Sequence, residues 1–166
     1  MSGIDDAVTA AGQYVQGFTM GHLPAPPNRK LTVVTCMDAR IMVNDLLGLK
    51  MGDAHIIRNA GGIVTEDTLR SLLISHFMLF TQEFMIINHT ECGLLLFKDE
   101  EFHRRLRETT GTAAIAPERF HAFTDLEQNV REQIQKVKSH PWVPRHIPVR
   151  GFIYDVGTAR LSEVPV

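Results

Sequence analysis

Leu31-Thr32-Val33-Val34-Thr35-Cys36, Ala54-His55-Ile56-Ile57-Arg58 and Phe84-Met85-Ile86-Ile87-Asn88-His89 are short, apolar and rich in β-branched residues, and segments of helical periodicity separate them. Such runs lack the in-and-out alternation of a half-exposed strand. They fit strands covered on both faces, as in parallel sheets whose crossovers are helices. Val149 to Val156 reads as a fourth strand, and Gly157-Thr158 ahead of Ala159 to Val164 predicts a closing hairpin. This order predicts an α/β fold: a three-layer sandwich with a mainly parallel central sheet of about four strands flanked by helices, plus a short C-terminal edge strand. A ligand site in such a sheet lies beyond the carboxyl ends of its strands.

The helical segments have their own signals. Ser2 with Asp5 and Asp6 marks a helix start, and Ile4, Val8, Ala11, Val15 and Phe18 continue it as an amphipathic stripe. Pro24-Ala25-Pro26-Pro27 then forms an extended arm, because proline fixes its own φ and restrains the residue before it. Between the second and third strands, Leu69, Leu72, Leu73, His76, Phe77 and Phe80 mark one helical face. Ile74, Met78 and Leu79 make the other sides apolar too. A helix buried on several sides exceeds what a chain of this size can cover, which predicts a subunit interface. Thr124 to Glu127 has the capping-box pattern, and Leu126, Val130, Ile134 and Val137 carry a helix to about Ser139.

A chain of 166 residues supports one domain with a real core, spanning residues 1–166, with 1–30 as an N-terminal helix and an arm that lies over a surface. Hydrophobic residues make up 44% and charged residues 22%, which argues against disorder. The net charge of -2 offers no field for a polyanion, so nucleic acid is not an expected partner. No run is apolar and long enough to span a membrane, and Met1 to Asp6 lacks a leader's positive charge, so a cytoplasmic protein is expected. In a reducing compartment Cys36 and Cys92 remain free thiols, available to a metal or to chemistry.

Cys36 closes the first strand and His89 the third, with Cys92 following in the next turn. All three fall at the carboxyl edge of the sheet. Two thiolates and an imidazole are a common zinc set, and three protein ligands leave a fourth tetrahedral position open, which suggests catalysis. Taken singly, each is as readily a buried core thiol or a hydrogen-bonded core histidine. The placement of both cysteines beside strand ends, one in a His-x-x-Cys pair, favours the metal. Asp38 and Arg40 lie in the loop leaving the first strand, either as a structural ion pair or as a carboxylate held ionised near the metal. Such a carboxylate accepts a proton at the metal or fills its open position. Asn59, Ala60, Gly61 and Gly62 follow the second strand and are candidates for the substrate pocket. Their glycines let backbone approach or supply amide donors, or simply make a tight turn. His22, His55, His76, His103, His121, His140 and His146 lack partners at metal-ligand spacing and read as structural or exposed.

Cys36-Met37-Asp38-Ala39-Arg40, Arg58-Asn59-Ala60-Gly61-Gly62 and His89-Thr90-Glu91-Cys92-Gly93, in this order, resemble the β-class carbonic anhydrases. The closest wording is that of the short branch that also includes carbonyl sulfide hydrolases. The resemblance implies Zn2+ held by Cys36, His89 and Cys92, and a catalytic dyad of Asp38 and Arg40. It also implies Asp38 as a fourth ligand in a closed state of some members. It further implies a close homodimer, with a tetramer as the larger alternative, and the first helix reaching over the partner. The implied reaction is hydration of carbon dioxide to bicarbonate by a zinc-bound hydroxide. The alternative is a carbonyl sulfide or carbon disulfide hydrolase releasing hydrogen sulfide from the same site. A non-catalytic zinc or thiol-sensing protein is a third reading, motivated by the two thiols. Where many longer members carry a glutamine ahead of the first zinc cysteine, this chain has Pro27, which bears on substrate preference rather than on the metal.

Overall fold

The computed structural model describes residues 2–114 and 117–166, so Met1 lies outside the described residues. Five strands form one sheet in the order β2-β1-β3-β4-β5. β1 (Leu31–Cys36), β2 (Ala54–Asn59), β3 (Glu83–His89) and β4 (Val149–Tyr154) run parallel, and β5 (Leu161–Val164) returns antiparallel on β4. The expected sheet, including its hairpin edge strand, is therefore present. From β1 the chain crosses to β2 on one side and then to β3 on the other, so the direction of winding reverses between β1 and β3. In open α/β sheets this reversal opens a crevice at the carboxyl ends of the two strands.

Side chains alternate across the sheet with period two. Val34, Phe84 and Ile86 point toward α3 (Glu66–Leu79) and α5 (Leu126–Ser139), where they pack with Leu72, Val130, Ile134 and Val137. Val33 and Ile87 point the other way, toward Ile41, Val43, Leu49, Ile63 and Leu94. That second face is covered by α2 (Val43–Leu47) and by turns rather than by long helices. Gly151 lets α5 approach β4, since a Cβ there would lie 2.3 Å from Val130 Cγ1 and 2.6 Å from Ile134 Cδ1.

α1 (Gly3–Tyr14) begins with the predicted cap: Ser2 Oγ accepts from Asp5 N–H, and Asp5 Oδ2 accepts from Ser2 N–H. It tightens into a 3₁₀ turn at Val15–Gly17. None of its residues is buried, and Ile4, Val8 and Val15 stand exposed. In α3 the predicted stripe is only half used by the chain itself: Leu72 is fully buried, whereas Ile74, Phe77 and Met78 face outward. α5 starts and ends where expected but is capped by Asp125, whose Oδ1 accepts from Gln128 N–H, and not by the Thr124–Glu127 box. The helix begins at Leu126, so Asp125 holds the cap position and reaches the N–H three residues on. α2 is the helical segment expected between β1 and β2, whereas α4 (Asp99–Thr110) is not foreshadowed in the sequence, because it carries no full apolar stripe.

Candidate metal centre

The crevice between β1 and β3 gathers the predicted site. Cys36 ends β1 and His89 ends β3, and these strands are direct neighbours. The turn after β3 carries Cys92 back over them, pinned by Thr90 N–H to Tyr154 O (3.0 Å) and by Val156 N–H to Thr90 Oγ1 (3.1 Å). The donor atoms of Cys36, His89 and Cys92 lie within 4.8 Å of one another, an arrangement that could hold a metal ion, and all three residues are buried. His89 Nδ1 sits 2.8 Å from Thr90 O, which makes it the protonated nitrogen and directs the lone pair of Nε2 into the cluster. Nε2 is buried and has no hydrogen-bond partner among the described residues. An unsatisfied buried acceptor is costly. A cation placed between it and two thiolates would satisfy it, so these residues fit a metal ion, and a soft divalent one in particular.

The thiols are electrostatically unequal. Cys36 is driven toward the thiolate, first by the Cys92 thiol donating to it, with His89 and the amide of Gly61 adding to this against burial. Cys92 is pushed the other way by the Cys36 sulfur and by burial. Gly61 N–H donates to Cys36 Sγ at 3.3 Å. Burial works against a charge on His89, but the neighbouring Cys36 outweighs it and the net displacement is upward.

Asp38 and Arg40 do meet. Arg40 Nη2 donates to Asp38 Oδ2 (2.8 Å), and Arg40 Nε and backbone N–H donate to Oδ1 (3.0 and 2.9 Å). These bonds hold the Asp38 carboxyl well below the usual carboxylate range and raise the Arg40 guanidinium. Asp38 Oδ2 lies 3.8 Å from His89 Nε2, facing the cluster. Arg40 Nη1 reaches across to Glu91 Oε2 (2.8 Å), so the guanidinium bridges the loop after β1 and the turn after β3. Glu91 adopts φ of 56°, a conformation few non-glycine residues take, in the turn that carries Cys92.

Asn59, Ala60, Gly61 and Gly62 form the turn after β2, on the other side of Cys36. Asn59 is turned into its own loop, donating to Ile63 O (2.7 Å) and accepting from Ile63 N–H (2.8 Å). Gly62, at φ of 63°, is wedged against β1 and β3: a Cβ there would lie 2.9 Å from Asn88 Nδ2 and 3.0 Å from Cys36 N. Two clefts of about 590 and 990 Å³ exist elsewhere, and neither is lined by Cys36, His89 or Cys92.

Several contributors were not singled out from the sequence. Arg58, near the end of β2, donates to Cys36 O (3.0 Å) and Asp38 O (2.7 Å) and so fixes the loop that carries Asp38 and Arg40. Asn88, Asn129 and Gln133 are buried polar side chains behind the glycine turn. The available signal was a polar residue inside an apolar strand run and two more spaced i, i+4 beside the apolar stripe of α5. Of the seven other histidines, His55 and His76 bond to Ser75 Oγ and Thr81 O, in the structural role expected.

The sequence model of the carbonic anhydrase family matches residues 31–161. Beta-carbonic anhydrase 1 of Mycobacterium tuberculosis is 41% identical over 99% of both chains. A carbon disulfide hydrolase of Acidithiobacillus thiooxidans is 33% identical, over 82% of this chain and 77% of its own. Among solved structures, the carbonic anhydrase of Streptococcus mutans superposes with a TM-score of 0.94, at 44% identity and 99% coverage of both chains. Strand order, the residues gathered at the winding reversal and these likenesses agree, and the chain belongs to the β-carbonic anhydrase family of enzymes.

Proposed function

We propose that this chain hydrates carbon dioxide to bicarbonate, with Cys36, His89 and Cys92 holding Zn2+ and Asp38 and Arg40 as the catalytic pair. The observation that carries this reading is the unpartnered, buried His89 Nε2, set beside two buried thiols and 3.8 Å from the ionised Asp38 Oδ2. Zinc bound there supplies Lewis acidity, which makes a hydroxide nucleophile available near neutral pH. The chain's own residues do the rest. Thr90 O fixes the His89 tautomer through Nδ1–H. Asp38 Oδ2, held in direction by Arg40 Nη2, accepts a hydrogen bond from the attacking water and orients its lone pair toward the substrate carbon. Glu91 restrains the far arm of Arg40, so that the fork stays on Asp38. Both Asp38 oxygens are engaged by Arg40, so a closed form in which Asp38 would join Cys36, His89 and Cys92 in holding the ion would require these bonds to break. Of the turn Asn59 to Gly62, Gly61 faces the centre through its N–H to Cys36 Sγ, whereas Asn59 is turned into its own loop.

Hydrolysis of carbonyl sulfide or carbon disulfide is the second reading, favoured by relatives named carbon disulfide hydrolase at 33% identity. Both substrate classes are small, linear and apolar, and the same nucleophile attacks either carbon. Carbon dioxide has the stronger support, since the 41% and 44% identical relatives are carbonic anhydrases that match almost the whole chain. Stopped-flow hydration with a pH indicator, run beside sulfide release from carbonyl sulfide and carbon disulfide, ranks the two. The expected result is fast hydration with little sulfide. Hydration at buffer background would end the first reading, and rapid sulfide release would establish the second.

The exposed apolar stripe of α1 and the outer side of α3 support a homodimer, or a tetramer built from it, with α1 of one copy lying on its partner. A helix of this length is marginal alone in water and needs such a surface. Sedimentation at micromolar concentration is expected to give a dimer or larger, and a monomer would contradict the assembly. No helix among the described residues is long and apolar enough to cross a membrane. Two free cysteines as metal ligands suit a reducing, cytoplasmic compartment.

A further inference from the structure

We propose that Asn88, Asn129 and Gln133 are positioning residues of the metal centre, acting through the Gly61-Gly62 turn on the sulfur of Cys36. This rests on the reading of Cys36, His89 and Cys92 as metal ligands. The three carboxamides form one continuous chain of hydrogen bonds. Lys136 Nζ and Val64 N–H donate to Gln133 Oε1 (3.1 and 2.9 Å). Gln133 Nε2 donates to Asn129 Oδ1 (2.8 Å), and Asn129 Nδ2 to Asn88 Oδ1 (2.7 Å). Asn88 Nδ2 then donates to Gly61 O (2.9 Å) and Gly62 O (3.3 Å).

The direction of this chain is set by its ends. An ammonium and a backbone N–H can only donate, so the oxygen of Gln133 must face them; the two glycine carbonyls can only accept, so the NH2 of Asn88 must face those. Each amide between is left with one orientation. Gln133 and Asn88 are completely buried and Asn129 nearly so, so a broken link leaves a buried polar group without its partner. The far end is the turn in which Gly61 and Gly62 both hold positive φ, 81° and 63°, with their carbonyls converging on Asn88. Gly61 N–H leaves the same turn for Cys36 Sγ. A donor on a ligating sulfur withdraws charge from it and weakens its donation to the metal, while the same contact fixes where the sulfur sits. The side chains of α5 therefore set the electronic character of a metal ligand on β1 without touching it.

Cobalt in place of the native metal reports both effects, through the thiolate-to-cobalt charge-transfer band and through competition with a chelator. Asn129→Leu leaves Asn88 Oδ1 without its donor and frees the Asn88 amide. The expected result is a band moved to lower energy and a cobalt affinity reduced about 10- to 100-fold, the usual range for outer-shell partners. Gln133→Glu keeps an acceptor for Val64 and Lys136 but removes the donor to Asn129, and serves if Asn129→Leu does not fold; the same band movement is expected. Val137→Ala trims a buried residue of the same helix outside the chain of amides and is expected to leave band and affinity unchanged. A folded Asn129→Leu or Gln133→Glu protein with the parent's band and affinity would overturn the proposal, as would an equal change in Val137→Ala. A parent protein with no thiolate-to-cobalt band would instead remove the metal reading, and this inference with it.

Discussion

Cys36→Ser is expected to reduce bound zinc from about one ion per chain to almost none and to bring carbon dioxide hydration down to the buffer rate. Serine's hydroxyl is not deprotonated at neutral pH and is a poor ligand for a soft divalent ion, so the set falls to one thiolate and one imidazole. The substitution also removes the acceptor of Gly61 N–H, inside a cluster that is buried. Metal analysis of the purified variant, with stopped-flow assay of the same sample, checks both parts. A variant that kept its metal and its rate would show that Cys36 is a core thiol. A wild-type chain isolated without metal and with Cys36 joined to Cys92 would favour the thiol-sensing reading instead.

The second large effect concerns Asp38. Asp38→Asn sets an NH2 group against either Arg40 Nη2 or Arg40 Nε, replacing a charge-assisted bond with two opposed donors. It also removes the anionic acceptor that orients the nucleophile. Hydration is expected to fall by about 10²- to 10⁴-fold, the range for loss of a positioned acid–base group, with zinc content unchanged. Full activity in this variant would remove the dyad from the mechanism while leaving the metal in place. The pH dependence has a definite sign. Because the native Asp38 carboxyl lies below its unfolded value of about 3.9, the stabilisation from its bonds to Arg40 is complete above that pH and is lost as pH falls toward the native value. Protonation of Asp38 therefore cannot account for any loss of activity between pH 5 and 8.

Much of the framework was legible because strands buried on both faces write themselves as unbroken apolar runs. β1 and β3 were read to within a residue, and their last residues, Cys36 and His89, follow from where those runs stop. That the two strands are adjacent does not follow from the runs alone; it comes from the winding reversal, which the sequence expresses only through the family resemblance. α4 stayed hidden for a different reason. It offers only Phe102 and Leu106 to an apolar side, so it has no periodicity to detect, and α2, with five residues, could be expected only as a helical segment without bounds. The apolar excess in α3 was legible as a surplus, and the outward Ile74, Phe77 and Met78 are where that surplus lies.

The site divided in the same way. The Cys36, His89 and Cys92 cluster has distinctive chemistry, so a short spacing argument brings its members together. The groups that orient them do not. Arg58 fixes the dyad loop through backbone carbonyls, and carbonyls carry no sequence identity. Asn88, Asn129 and Gln133 act through a register between β3 and α5 that exists only after the chain has folded. The tautomer of His89 likewise depends on Thr90 O, a group every residue possesses.

X-ray absorption at the zinc edge of the purified protein addresses the centre itself. The arrangement of Cys36, His89 and Cys92 predicts a first shell of two sulfur atoms at about 2.3 Å with one imidazole nitrogen at about 2.0–2.1 Å and one oxygen. A shell of oxygen and nitrogen alone, or of a single sulfur, would contradict it.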